Sequence, residues 1–314
     1  MSIAQRLADS ALINPGSDRV RSVAGLARRS ARSRAGRFLA EGPQCVREAL
    51  RAHLGEFDAL VPAPRDGVID ALYITERALQ RHPDIDQLVE RVLQAEGSPR
   101  VFVRMVSDEV LAAMSDAEHP QGVLAVCRIP ELTWAQVGER RPRLVAVMCR
   151  VQDPGNAGTV LRAADAAGAD AVVLTAGSVD LHNPKVVRST AGSLFHLPVL
   201  TGLDPAELVG RPVSDAAGGE LQVLAADGYG ALDLDELQDA SAAGREAAVE
   251  LARPTAWLFG NEAQGLSEQE KALTSHRVAV PLHGAAESLN VGTAATLCLY
   301  ASARAQRRTA EGAA

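Results

Sequence analysis

Lysine is almost missing from this chain. Of the 32 cationic residues among its 314, only Lys185 and Lys271 are lysines. So much arginine beside so much alanine reads as the codon bias of a GC-rich genome, which makes arginine abundance uninformative by itself. The four cysteines, Cys45, Cys127, Cys149 and Cys298, show no C-x-x-C spacing, and three lie in apolar runs. They therefore read as buried free thiols of a reducing compartment, with no structural zinc. Aromatic residues make up 3% of the chain, too few for the serial base stacking of single-strand binders. No apolar run approaches the ~20 residues of a membrane helix, and the opening "MSIAQRLADSALI" lacks the cationic start and long apolar middle of a signal peptide. The expectation is a cytoplasmic protein with no membrane partner. No G-x-G-x-x-G follows a strand and no G-x-x-x-x-G-K-[ST] occurs, which argues against a nicotinamide enzyme and a P-loop ATPase. The seven histidines form no H-E-x-x-H or other ligand constellation, so no metal is expected.

What is present is ordinary soluble α/β sequence, 47% apolar and 23% charged, long enough for two cores. Short apolar runs alternate with helical periods from Arg19 to about Pro130, and this stretch reads as a smaller α/β domain, residues 1–130. The polar, proline-containing residues 131–142 are expected to link it to a second domain, 143–314. That domain opens on "RLVAVMCRV", a continuous apolar run typical of strands buried on both faces of a parallel sheet. Further strands and helices alternate to a last helix expected from Ser288 to about Arg308, which suits a doubly wound sheet. Residues 203–251, beyond the expected strand "LQVLAA", read as a variable insertion with one or two helices and no assigned chemistry, and the tail "RTAEGAA" as disordered.

In open parallel sheets ligands bind where strands end and loops feed helices. Three such junctions look alike here: "QDPGN", "GNEAQGLS" and "HGAAESLN", each with an asparagine (Asn156, Asn261, Asn290) and a nearby glycine. Any one of them could be a plain helix cap; three together point to a shared site. Asn156 is placed at an N-cap position, so the helix it opens would offer free N–H groups to an anion. Arg162, on that helix, could lean its planar donors back toward the same opening. The competing role for Arg162 is snorkelling to the surface, or bridging to Asp165 or Glu262.

These residues resemble the SpoU/TrmH-type RNA ribose methyltransferases of the SPOUT superfamily. "DPGNAGTVLRAADAAG", "LFGNEAQGLS" and "VAVPLHGAAESLNVGTAATLCLYASA" look like that family's three motifs, in order, and "NPKVVRSTAGSLFHLPV" also resembles its pattern. The N-terminal "VRSVAGLARRSARSRAGRFLAEGPQCVREAL" is similar to the smaller ribosomal-protein-like RNA-binding domain that many members carry. The resemblance implies a C-terminal parallel-sheet domain tied in a deep trefoil knot, a homodimer with composite active sites, S-adenosylmethionine as methyl donor, and a ribose 2′-hydroxyl as acceptor. It implies catalytic roles for Asn156, Arg162, Glu262, Ser288 and Asn290, and cofactor contacts from Gly260, Asn261, Leu282, Leu289 and Asn290. Ala263 stands where that pattern commonly has glycine, and Gly292 where it often has serine.

The net charge is −7, yet Arg19, Arg21, Arg28, Arg29, Arg32, Arg34 and Arg37 fall in a stretch without one acidic residue. Such a stripe can contact RNA phosphates despite an acidic whole, and Arg28, Arg29, Arg32, Arg34 and Arg37 are the expected RNA contacts; a solvated helix face is the alternative. Members with this N-terminal domain mostly modify large-subunit RNA, so 23S ribosomal RNA is the expected substrate. The alternatives are transfer RNA 2′-O-methylation, a non-catalytic RNA-binding protein of ribosome assembly, or an unrelated nucleotide-binding α/β enzyme.

Overall fold

The structure, a computed structural model, describes residues 3–8, 10–57, 66–95, 99–209 and 220–312. It divides into two units that are interleaved along the chain. The first comprises Met1–Glu131 and Asp180–His196, the second Leu132–Val179 and Leu197–Ala314.

The first unit is built on four strands, β1 (Arg37–Glu41), β2 (Ile69–Ile74), β3 (Phe102–Met105) and β4 (Val123–Arg128), in the order β1-β4-β2-β3. The pairs β1–β4 and β4–β2 are antiparallel and β2–β3 is parallel. Side-chain alternation sorts β1 between two cores, as expected of a sheet covered on both faces. Phe38 and Ala40 join helices Pro43–His53 and Pro83–Gln94, whereas Leu39 joins helices Asp18–Gly25 and Asp108–Met114.

Segment Asp180–His196, read from the sequence as part of the second domain, packs in the first unit instead. Val187 and Phe195 lie in the same core as Phe38, and the Cys45 thiol donates to the Val187 carbonyl. Asp180 accepts from Arg32 at 2.5 Å, and Arg188 bridges Glu41 at 3.2 Å and Asp116 at 3.0 Å. Periodicity reports that a side chain is buried but not against what, which is why this allegiance was hidden.

The second unit is a seven-stranded parallel sheet. Its strands are β5 (Leu144–Met148), β6 (Ala171–Thr175), β7 (Val199–Leu203), β8 (Gln222–Ala226), β9 (Leu232–Asp233), β10 (Thr255–Phe259) and β11 (His276–Ala279), in the order β7-β6-β5-β10-β8-β11-β9. All five residues of β5, β6 and β10 are buried, as their unbroken apolar runs predict. Two regions differ from the sequence reading. The expected linker holds a helix, Trp134–Gly138, closed by a Thr133–Gln136 capping box, and Trp134 and Val137 enter the core with Val145 and Leu200. The expected insertion is part of the sheet itself: its run "LQVLAA", read as a strand, is β8, between β10 and β11, and one of its expected helices is Leu234–Ala242; its "SDAAGG", residues 214–219, lies outside the described residues.

The final helix runs Val291–Gly312, starting later than expected and continuing through most of the tail read as disordered. Apart from Thr309, its last turns are Ala, Arg, Gln and Glu, good helix formers without a breaker before Gly312. This helix lies against Pro154–Ala167. A Cβ on Gly292 would come within 2.7 Å of the Thr159 Cγ2, so the glycine standing in place of serine is what Thr159 leaves room for.

Candidate functional site

The site lies in the second unit, at the carboxyl ends of β5, β10, β8 and β11, and is built from the turn after β5 upward. The helix Pro154–Ala167 takes Asp153 as N-cap: its carboxylate accepts from the Asn156 N–H at 2.8 Å, and Pro154 occupies the first helical position. Asn156 was placed at the cap by the sequence reading. Proline's preference for the first position, where a missing N–H costs nothing, moves the cap back by three residues and frees the Asn156 side chain.

That freed carboxamide is the centre of a hydrogen-bonded chain. Asn156 Nδ2 donates to Glu262 Oε1 at 2.9 Å, and Asn290 Nδ2 donates to Asn156 Oδ1 at 2.8 Å. Asn290 Oδ1 in turn accepts from the Gly292 N–H at 2.9 Å, opening the last helix. The order of donors is fixed from both ends: a carboxylate only accepts and a backbone N–H only donates, so both amides have a single consistent orientation. One residue from each of the three motifs is thereby locked to the next.

The second-motif loop is shaped by Asn261. Its Oδ1 accepts from the Ala263 and Gln264 N–H groups at 2.8 and 3.2 Å, its Nδ2 donates to the Arg150 carbonyl at 2.9 Å, and its N–H pairs with Gly265. Asn261 thus acts mainly on the loop itself. Ala263 has an ordinary backbone conformation and an exposed side chain, so the glycine common there is dispensable. Gly260 is required: a Cβ would fall 2.3 Å from the Gly265 carbonyl carbon.

Arg150, just past β5, has φ +56°, a strained conformation for a bulky residue. Its surroundings over-determine it: the guanidinium grips Glu270 with two bonds of 3.0 and 2.8 Å, and its N–H donates to Thr175 at 3.1 Å. Burial would raise the Glu270 carboxyl, but the bonds from Arg150 and Ser267 outweigh it and hold the group below its ordinary value.

A cavity of about 760 Å³ opens on this framework, a size usual for small-molecule sites. Asn156, Gly260, Asn261, Glu262, Leu282, Ser288, Leu289 and Asn290 all line it, so eight of the nine expected catalytic and cofactor residues are brought together. Arg162 is the ninth. It lies outside the cavity, exposed on the outer side of its helix, and no hydrogen bond or ion pair holds it among the described residues, neither Asp165 nor Glu262. Six residues of helix turn it about 240° from Asn156.

The sequence reading missed a fourth junction. The turn after β8, with Asp227, Gly228 and Tyr229, lines the cavity together with Lys271. "LQVLAADGYG" carries the same signal as the other three, a strand running into an Asp-Gly turn, but sat in the region set aside as an insertion. Apolar Phe259, Leu266, Val278 and Val280 form one part of the lining, and the Asn156–Glu262–Asn290 chain is polar. A base with a charged, hydrogen-bonding tail suits that mixture, so the residues present fit S-adenosylmethionine.

In the first unit, the five expected RNA contacts separate. Arg32 is 3% exposed and donates to Asp180 and to the carbonyls of Leu26 and Ala27 at 2.9 and 2.7 Å. Arg37 is half-buried and paired with Asp70 at 2.8 Å. Both are thus internal ties. Arg28, Arg29 and Arg34 are exposed, and no side-chain partner engages them among the described residues. Among the described residues no group of three or more His, Cys, Asp or Glu could hold a metal, and no helix is long and apolar enough to cross a membrane.

Comparison with known proteins bears on both units. Residues 143–300 match the model of the SpoU rRNA Methylase family, and residues 17–125 match the MRM3-like substrate binding domain. The 23S rRNA (guanosine(2553)-2′-O)-methyltransferase RlmP of Bacillus subtilis is 33% identical over 74% of this chain and 86% of its own length. The 23S rRNA (uridine(2479)-2′-O)-methyltransferase of Streptomyces viridochromogenes is 32% identical over 64% of this chain and 67% of its own. The crystal structure of the SpoU methyltransferase AviRb from that organism, in complex with AdoMet, superposes with a TM-score of 0.71 at 28% identity, covering 93% of this chain and 99% of that one.

Proposed function

For a chain that belongs to the SpoU rRNA Methylase family, we propose methyl transfer to the 2′-hydroxyl of one ribose in 23S ribosomal RNA, performed in the cytoplasm by a homodimer. The chain is an S-adenosylmethionine-dependent RNA 2′-O-ribose methyltransferase, and its first unit is a substrate-binding domain. The ribosomal substrate is supported by the relatives named above, two of which act on 23S RNA. The observation that carries the reading is the Asn290–Asn156–Glu262 chain, which locks three motifs around one cavity.

Bound there, S-adenosylmethionine supplies an electrophilic methyl group. The protein's part is then positioning a weakly acidic hydroxyl in line with it and helping its proton leave. Asn156 and Asn290 are held rigid, and Glu262 Oε2 has no partner among the described residues, so it is available to a donor on either substrate. Arg162 brings a planar, cationic fork of donors and no acceptor. Its role is to orient the ribose and adjacent phosphate and to stabilise the developing alkoxide, with the phosphate assisting proton removal.

The placement of Arg162 supports the homodimer. It shares an exposed stripe with Thr159 and Ala166, beside Thr293, Leu297 and Tyr300 of the last helix, where Leu297 is 44% and Tyr300 47% exposed. A second copy packed there would cover those apolar side chains and receive Arg162 into its own site. The sheet order, with β10 inserted between β5 and β8, is compatible with a knotted chain.

The test is transfer of labelled methyl from S-adenosylmethionine to total ribosomal and transfer RNA. Label in large-subunit RNA is expected, label confined to transfer RNA would move the substrate, and label in neither would favour a non-catalytic assembly factor. Mixing Arg162→Ala with Asn156→Ala protein tests the dimer. Each is expected to be inactive alone, and mixed dimers regain one complete site; no recovery would mean Arg162 serves its own chain.

A further inference from the structure

We propose that Tyr229 is the wall on which the adenine ring of S-adenosylmethionine stacks. The inference rests on the methyltransferase reading above and assigns a role to a residue outside the three motifs.

Tyr229 is 91% exposed, the most exposed large hydrophobic side chain among the described residues, yet it lines the cavity. The chain holds three tyrosines, and the hydroxyls of the other two are engaged. Tyr73 accepts from Arg19, and Tyr300 donates to the Ala166 carbonyl. The Tyr229 side chain makes no hydrogen bond among the described residues, although its backbone is pinned.

The pinning is extensive. Asp227 Oδ1 accepts from the Tyr229 N–H at 3.0 Å, Asp227 Oδ2 accepts from Arg277 Nε at 2.8 Å, and Arg277 Nη2 donates to the Tyr229 carbonyl at 3.3 Å. The Asp227 N–H reaches the Val278 carbonyl at 3.0 Å, and the next residue, Gly230, lies so close to β11 that a Cβ would fall 2.7 Å from the Arg277 carbonyl. A turn this firmly tied to β11 fixes the backbone from which the aromatic ring projects into water. Preorganisation of that kind lowers the ordering cost of whatever stacks on it.

Sheet order says which ligand. The turn follows β8, and β8 is two strands from β5, whose turn carries Asn156. Two strand spacings are about 10 Å. The polar chain around Asn156 is where a methyl group meets its acceptor, so the Tyr229 end of the cavity holds the part of the donor most distant from the sulfonium, its base. Val278 and Val280 of the same lining offer the apolar surface that a purine needs on its other sides.

Calorimetric binding of S-adenosylmethionine to the full chain, without RNA, tests this for wild type, Tyr229→Ala and Tyr229→Phe. Alanine is expected to weaken binding about tenfold, the size usual for losing one base–aromatic stack, and phenylalanine to keep it within about twofold. Unfolding temperature should not move, since the ring packs on nothing. Unchanged cofactor affinity in Tyr229→Ala would overturn the proposal, and a raised KM for RNA beside it would assign the ring to the target base. Absence of binding by wild type would instead overturn the methyltransferase reading.

Discussion

Two arginine-bearing helices stand in contrast. Arg29–Ala35 in the first unit sits in the densest run of positive charge in the chain, yet its Arg32 is buried, tied to Asp180 and to the carbonyls that end the preceding helix. Pro154–Ala167 in the second carries a single arginine, Arg162, which is exposed and held by nothing among the described residues. Charge density therefore misleads in both directions. An arginine with its donors spent inside the fold supports the fold, and one left with every donor open is available to a ligand or a partner.

The contrast is sharpest under substitution. Arg162→Ala is expected to lower methyl transfer roughly 10³-fold, the scale of losing a positioned charge at the reacting atoms, with no change in unfolding temperature. Arg162→Lys should recover little, because a point charge does not replace a bidentate fork; near-normal turnover of the lysine variant, read in a single-turnover assay, would break that account. For Arg32→Ala the pattern reverses. Denaturant unfolding should show a loss of about 3 kcal/mol, because Asp180 is left without its cation, while Arg34→Ala stays within about 0.5 kcal/mol.

The same buried tie makes a pH prediction. Burial pushes the His182 imidazole, which lies against Phe38, down to about 4, against the opposing pull of the Asp180 charge and with the Arg32 charge adding to the effect. Between pH about 4 and 6.5 the unfolded chain binds a proton that the folded one refuses, so stability falls as pH drops through that window. The loss should be on the order of 3 kcal/mol, and His182→Asn should flatten it in a series of unfolding curves. The smallest effect concerns the arginines left free. Replacing Arg28, Arg29 and Arg34 together by alanine should leave stability unchanged and reduce the slope of log affinity for RNA against log salt by about 2. An unchanged slope would make that face a merely solvated one.

Much of the second unit was legible in its sequence. The apolar runs of β5, β6 and β10 fixed the buried sheet, and Asn and Gly at strand ends marked the loops that converge on the cavity. Position within a loop was harder. Asp153 and Asn156 are both good caps, and only the preference of Pro154 separates them. The strand β8 was legible as the apolar run "LQVLAA", but its alanine-, glycine- and acid-rich surroundings read as an insertion without chemistry, and the turn carrying Tyr229 was lost with them. In the first unit, no local signal states that Arg32 meets a carboxylate 148 residues away; that is a property of the assembled chain.

The excursion Asp180–His196 also imposes a timetable on synthesis. A ribosome that has finished residue 131 has not yet made Val187, Phe195 or the partner of Arg32, all of which complete the first unit. At about 5–20 residues per second they follow after roughly 3–13 s. During that interval the nascent N-terminal unit keeps an apolar gap and an unneutralised arginine, and its closure waits until β5 and β6 of the other unit have been translated.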